Sequence, residues 1–173
     1  MRTRLARTTA RTIAAVTVAA ACAVGTAGAA VAAPATSDTD PAPSACRPAN
    51  QTGVVTPAPS SAGHAHYRVV LTAAPGTSPC LLQGSPTGVG FSLNGSPRAV
   101  DATSYGDQST PVAFGPGAPV AFDIQVPSSP GPASANEVTF TLQAPDGEIP
   151  GVAGANGPLG VDGGTQIGPV EPA

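Results

Sequence analysis

The residues best suited to chemistry in this chain are two histidines, His64 and His66, separated by Ala65. On an extended strand, residues two apart share a face, so both imidazoles could reach one metal ion. Two ligands do not define a metal site, and nothing in the sequence places a carboxylate or thiol beside them. The plainer reading is an outward-facing His66 and a His64 hydrogen-bonded in a turn. Other catalytic patterns are missing or misplaced. Gly84-Ser85-Pro86-Thr87-Gly88 sets its serine one place too early for a nucleophile elbow. No glycine-rich run leads into Lys-Ser or Lys-Thr, as a phosphate loop would. Asp146 and Glu148 are close in sequence but lie in a Pro/Gly turn, where solvent is the natural partner. Asp38-Thr39-Asp40 lacks the remaining ligands of a calcium loop. The expectation is a protein that is not an enzyme and holds no cofactor. A metal-dependent hydrolase using His64 and His66 is the last-ranked alternative.

The three cysteines, Cys22, Cys46 and Cys80, depend for their meaning on the compartment. Residues 1–32 have the three-part plan of a secretory signal: Arg2, Arg4, Arg7 and Arg11, then an apolar run over 12–24, then small residues ending in Ala30-Val31-Ala32. That pattern sets the cut between Ala32 and Ala33. No Arg-Arg pair occurs, which favours the general secretory route. Two alternatives stay open. The stretch 12–33 is long enough to span a bilayer if left uncleaved, although it is mostly Ala, Gly and Thr. Ala19-Ala20-Ala21-Cys22 faintly resembles a lipobox, which would leave a lipid anchor on Cys22. Cleavage leaves Cys46 and Cys80. An even count in an exported chain predicts a disulfide between them. No C-x-x-C spacing supports a redox or metal pair.

The elements that must carry these side chains are strands. With 21 Gly and 21 Pro in 173 residues the chain cannot form a helical bundle. Four segments alternate apolar and polar residues with period two. Their inward sets are Tyr67, Val69 and Leu71; Val89, Phe91 and Leu93; Phe122, Ile124 and Val126; and Val138, Phe140 and Leu142. Weaker strands are expected at 53–56, 99–102 and 112–114, and in pieces of 159–170. Turn signals such as Asn94-Gly95 and Asp146-Gly147 separate them. Five of the six aromatic residues, all but Tyr105, fall on these sets or at Phe114 and are expected to share one core. Residues 33–45 read as a Pro/Ala/Ser/Thr linker, and 46–173 as a single domain. Seven or eight short strands suggest an antiparallel two-sheet β-sandwich.

The chain resembles the secreted actinobacterial family called domain of unknown function 4232. The resemblance rests on Cys46 at the domain's start and Gly63-His64 before the strand 67–72. It also rests on Cys80 followed by Leu82 and Gly84-Ser85-Pro86, and on Pro116-Gly117 before the strand 120–126. It spans residues 46 to about 170. Ala73 stands where that family often has Asn, and Ser85 where it often has an aromatic residue, so the chain departs from the family's pattern at those two turns. The resemblance implies an immunoglobulin-like sandwich at or outside the cell surface. It implies no activity.

After cleavage only Arg47, Arg68 and Arg98 face all ten acidic residues, and the chain has no Lys. An acidic body of this kind is a poor ligand for nucleic acid or an anionic membrane. The expected function is a monomeric, non-catalytic interaction module that binds an extracellular or envelope ligand through loops such as 151–164. A structural wall-associated protein is the second reading.

Overall fold

A computed structural model describes residues 40–128 and 131–173. The expected signal peptide, its cut at Ala32–Ala33, Cys22 and the linker up to residue 39 lie outside the described residues.

The four strongly alternating segments are all strands, and they supply the centre of the core. They are β2 (His64–Ala73), β4 (Thr87–Leu93), β8 (Val120–Pro127) and β9 (Ala133–Thr141). Val69, Leu71, Phe122, Ile124, Val126, Val138 and Phe140 are fully buried. Phe122 and Phe140 meet edge to face at 5.0 Å, a favourable aromatic geometry. Tyr67 and Val89 pack against the same cluster but stay partly exposed. The remaining strands are β1 (Gln51–Ser61), β3 (Cys80–Gln83), β5 (Ser96–Arg98), β6 (Thr103–Ser104), β7 (Pro111–Phe114), β10 (Gln143–Ala144), β11 (Gly147–Glu148), β12 (Ala153–Val161), β13 (Gln166–Ile167) and β14 (Glu171–Pro172). The only helix among the described residues is one 3-10 turn, Pro48–Asn50. None is long and apolar enough to cross a membrane. The protein is all-β.

Ten strands form one curled sheet in the order β5-β4-β9-β12-β1-β2-β8-β13-β6, with β14 also paired to β8. Two small ladders, β3–β7 and β10–β11, stand apart from it. Leu82, Val112 and Phe114 from β3 and β7 enter the same apolar cluster as the main sheet, so the small ladder covers the sheet's inner face. The sheet is mixed, not wholly antiparallel. β12 runs parallel to β1 at Gly53↔Ala155 and Val54↔Asn156, and β13 runs parallel to β6. The parallel pairing arises because β12 arrives from a distant part of the chain and slots between β9 and β1 instead of folding back from β1 through a hairpin.

Residues 151–164, expected as a contact loop, are largely this inserted strand. Their Gly and Ala content hides a strand because backbone closeness, not apolar alternation, is what the position requires. A Cβ on Gly157 would lie 2.0 Å from the Val55 carbonyl oxygen, and one on Gly53 would lie 2.6 Å from the Ala155 Cβ. β1 is longer than the expected 53–56 and contains Pro57 and Pro59. Its pairing with β12 stops at Val54↔Asn156, so these prolines interrupt no ladder on that side. Segment 99–102 is not a strand; β5 and β6 flank it.

Ordered structure also begins before Cys46. The Ala45 amide donates to the Ser78 carbonyl at 2.9 Å, the Ser78 amide donates to the Pro43 carbonyl at 2.9 Å, and Ala45 is fully buried. The Cys46–Cys80 disulfide is present and ties this segment to β3.

Candidate functional site

The described residues bring polar chemistry together at one end of the β1–β2 hairpin and an apolar groove at the other. β1 has 11 residues, so the two places are separated by about 30 Å along the strand.

At the hairpin tip, Ala62 and Gly63 both have positive φ, 47° and 80°, which returns the chain tightly into β2. This turn brings Ser61 opposite His64 and, past an irregularity in the ladder, close to His66. Ser61 Oγ lies 3.0 Å from His66 Nε2. His66 Nδ1 lies 2.7 Å from Asp123 Oδ2 on β8. The Tyr105 hydroxyl donates to that same carboxylate oxygen at 2.9 Å. A carboxylate only accepts, so Nδ1 carries the imidazole proton. Nε2 then presents its lone pair to the Ser61 hydroxyl. Burial, reinforced by the hydrogen bond to Asp123 and by its negative charge, pushes the Tyr105 phenol up to about 12. Beyond this line, Arg68 on β2 donates to Glu171 at 2.9 Å.

Both ring nitrogens of His66 are therefore engaged by protein, and His64 Nδ1 is 3.1 Å from the Ala62 carbonyl oxygen. The structure does not assemble the two histidines into a shared ligand set. No group of three or more His, Cys, Asp or Glu side chains able to hold a metal occurs among the described residues. Asp146 and Glu148 are exposed, as their turn suggests. Sequence reasoning placed His66 and Asp123 on outward faces but missed their meeting, because nothing in either strand states that β2 pairs with β8. Ser61 and Tyr105 carried no signal of their own. The one available clue was Ala62-Gly63 as a two-residue turn between strands.

At the other end, two cavities adjoin through Arg47 and Ile149. The first, about 460 Å³, has the Cys46–Cys80 bridge in its wall, with Leu81, Ala144 and Asp146. The second, about 800 Å³, lies along Pro48, Pro150 and Val152. Leu81 and Val152 are 50% and 65% exposed, the largest apolar exposures here besides Val54. Arg47 is exposed and makes no ion pair among the described residues. The groove is held in shape by the disulfide and by the Ile149 amide, which donates to the Leu142 carbonyl at 2.9 Å.

No protein-family model matches the chain, and no curated protein and no solved structure matches it.

Proposed function

We propose that this protein is exported and works outside the cytoplasm as an immunoglobulin-like binding module of the family called domain of unknown function 4232. The Cys46–Cys80 bridge supports export, because such bonds persist in oxidising compartments. Two apolar layers sharing one core, the curled sheet and the β3–β7 ladder, support the sandwich reading.

The observation that carries the binding reading is the groove beside the disulfide. It exposes Leu81 and Val152 next to the unpaired Arg47. Exposed apolar side chains gathered at a groove with a polar rim are the usual mark of an interaction site. A cation at the rim selects the partner's charge. The ligand is an extended polypeptide segment that presents an apolar side chain beside a carboxylate. Titrating the isotope-labelled protein with two short peptides, one pairing Leu with Glu and one pairing Leu with Lys, tests this by amide chemical shifts. The acidic peptide is expected to move signals at Leu81, Ile149 and Val152, and Arg47→Glu should reverse the preference. Equal response to both peptides, or shifts elsewhere, would refute it.

A further inference from the structure

The hairpin tip offers chemistry that the binding reading does not use. We propose that Ser61, His66 and Asp123 act as nucleophile, general base and orienting carboxylate, and that Ser61 takes acyl groups from esters that protrude from a bulky carrier. The inference stands apart from the groove and goes beyond the binding reading.

Three observations carry it. First, the hydrogen-bond line is complete: Ser61 Oγ to His66 Nε2 at 3.0 Å, and His66 Nδ1 to Asp123 Oδ2 at 2.7 Å. That is the reach a nucleophile and its base require, with a third group fixing the tautomer. Second, Asp123 is itself held. Tyr105 donates to the same oxygen, and Gly168 donates its amide to the Asp123 backbone carbonyl at 2.8 Å. His66 and Asp123 side chains are only 14% and 26% exposed, so the relay is partly screened from water while Ser61 is open to it. Third, the residue after Ser61 is strained. Ala62 and Asn94 are the non-glycine residues with positive φ among those described, and Ala62 lacks the polar side chain that eases this conformation for Asn. The Ala62 amide donates to no protein acceptor among the described residues. It is free to stabilise an oxyanion formed on Ser61, as the amide after a nucleophile commonly does.

The chemistry balances. Ser61 Oγ attacks the ester carbonyl carbon while its proton passes to His66 Nε2. The tetrahedral intermediate collapses, the bond to the leaving alkoxide breaks, and His66 returns the proton to that oxygen. Water then repeats the sequence on the acyl-serine and releases a carboxylic acid. A single free amide gives modest oxyanion support, which suits esters better than amides. The exposed position of Ser61 at a hairpin tip admits an ester projecting from a large surface.

The test uses the mature protein and p-nitrophenyl acetate, followed by intact mass and by mapping of the acetyl group. Acetylation is expected at Ser61 and is expected to vanish in Ser61→Ala. His66→Ala should slow acetylation about 100-fold, the low end for a general base, and added imidazole should restore it. Asp123→Asn should slow it at least about tenfold without removing the site. His66→Gln, which keeps a hydrogen-bonding side chain, should be as slow as His66→Ala. Acetylation that maps to His64 or is spread over other serines would overturn the proposal. So would an unchanged rate in His66→Gln, failure of imidazole to rescue His66→Ala, or a wild type that neither carries the acetyl group nor releases p-nitrophenolate faster than Ser61→Ala.

Discussion

Breaking the Cys46–Cys80 bridge should cost this protein a large share of its stability without changing its architecture. The two cysteines are 34 residues apart in sequence. In the chain-entropy account, opening a loop of that size releases the unfolded state by about 4 kcal/mol. Domain stabilities run about 5–15 kcal/mol, so the loss is severe yet survivable. The native side explains why the fold should persist. The segment ahead of β1 remains joined to the β3 region by Ala45 N–H to Ser78 O at 2.9 Å, Ser78 N–H to Pro43 O at 2.9 Å and Ser78 Oγ to Ala42 O at 3.0 Å. Cys46 is 5% exposed, so the double variant C46A/C80A is cleaner than serine, which would bury a hydroxyl. Urea unfolding measures the effect. With a slope of about 1.5–2 kcal/mol/M, the midpoint should fall by about 2–3 M. Far-UV circular dichroism in water should keep its strand signature. A midpoint loss worth less than about 1 kcal/mol would refute the reasoning, because the loop would then be constrained already in the unfolded chain.

Two further changes probe other parts of the fold. Gly157→Ala places a Cβ 2.0 Å from the Val55 carbonyl oxygen, just past the last paired residues of β12 and β1, and should destabilise by about 3 kcal/mol in urea unfolding. Gly163→Ala, which meets nothing within 4 Å, is the control and should change stability by less than about 0.5 kcal/mol; equal effects would remove the close-approach argument. Tyr105 tests the polar line by pH. Its folded pKa of about 12 lies above the ordinary 10.0, so the native state holds the phenolic proton more tightly. That contribution is complete below pH 10 and is lost as pH rises from 10 through 12. The urea midpoint of the wild type should therefore fall more between pH 9 and pH 11 than that of Tyr105→Phe, and identical slopes would overturn the assignment.

The sequence made the strands with large apolar side chains legible, because burial of one face leaves a period of two that survives in any context. Phe122, Ile124 and Val126 are the clearest case, all fully buried. β12 was hidden because it is selected by what must be absent. Gly154, Gly157 and Gly160 leave no alternation to detect, and their role exists only against Val55, Val138 and Pro132 across the sheet. The hairpin-tip relay was half legible. His66 and Asp123 each read as outward-facing, but they are 57 residues apart, and register between distant strands leaves no local trace. The disulfide was readable because setting Cys22 aside with the expected signal peptide leaves two cysteines, which admit a single pairing. The groove beside it was not, because it needs residues 144–152 brought back against residues 44–49.

The parallel neighbours β1 and β12 also impose an order on how the molecule comes into being. β1 is made early and lies mid-sheet, but the strand on one of its sides is Ala153–Val161, made about a hundred residues later. β2 can pair with β1 and then with β8 before that strand emerges, but until it does the other edge of β1 stays open to solvent and to other chains. Closure thus waits on nearly the whole polypeptide, a non-local topology that folds slowly. During that interval the partly assembled sheet is exposed to pairing with a second copy through the bare edge of β1.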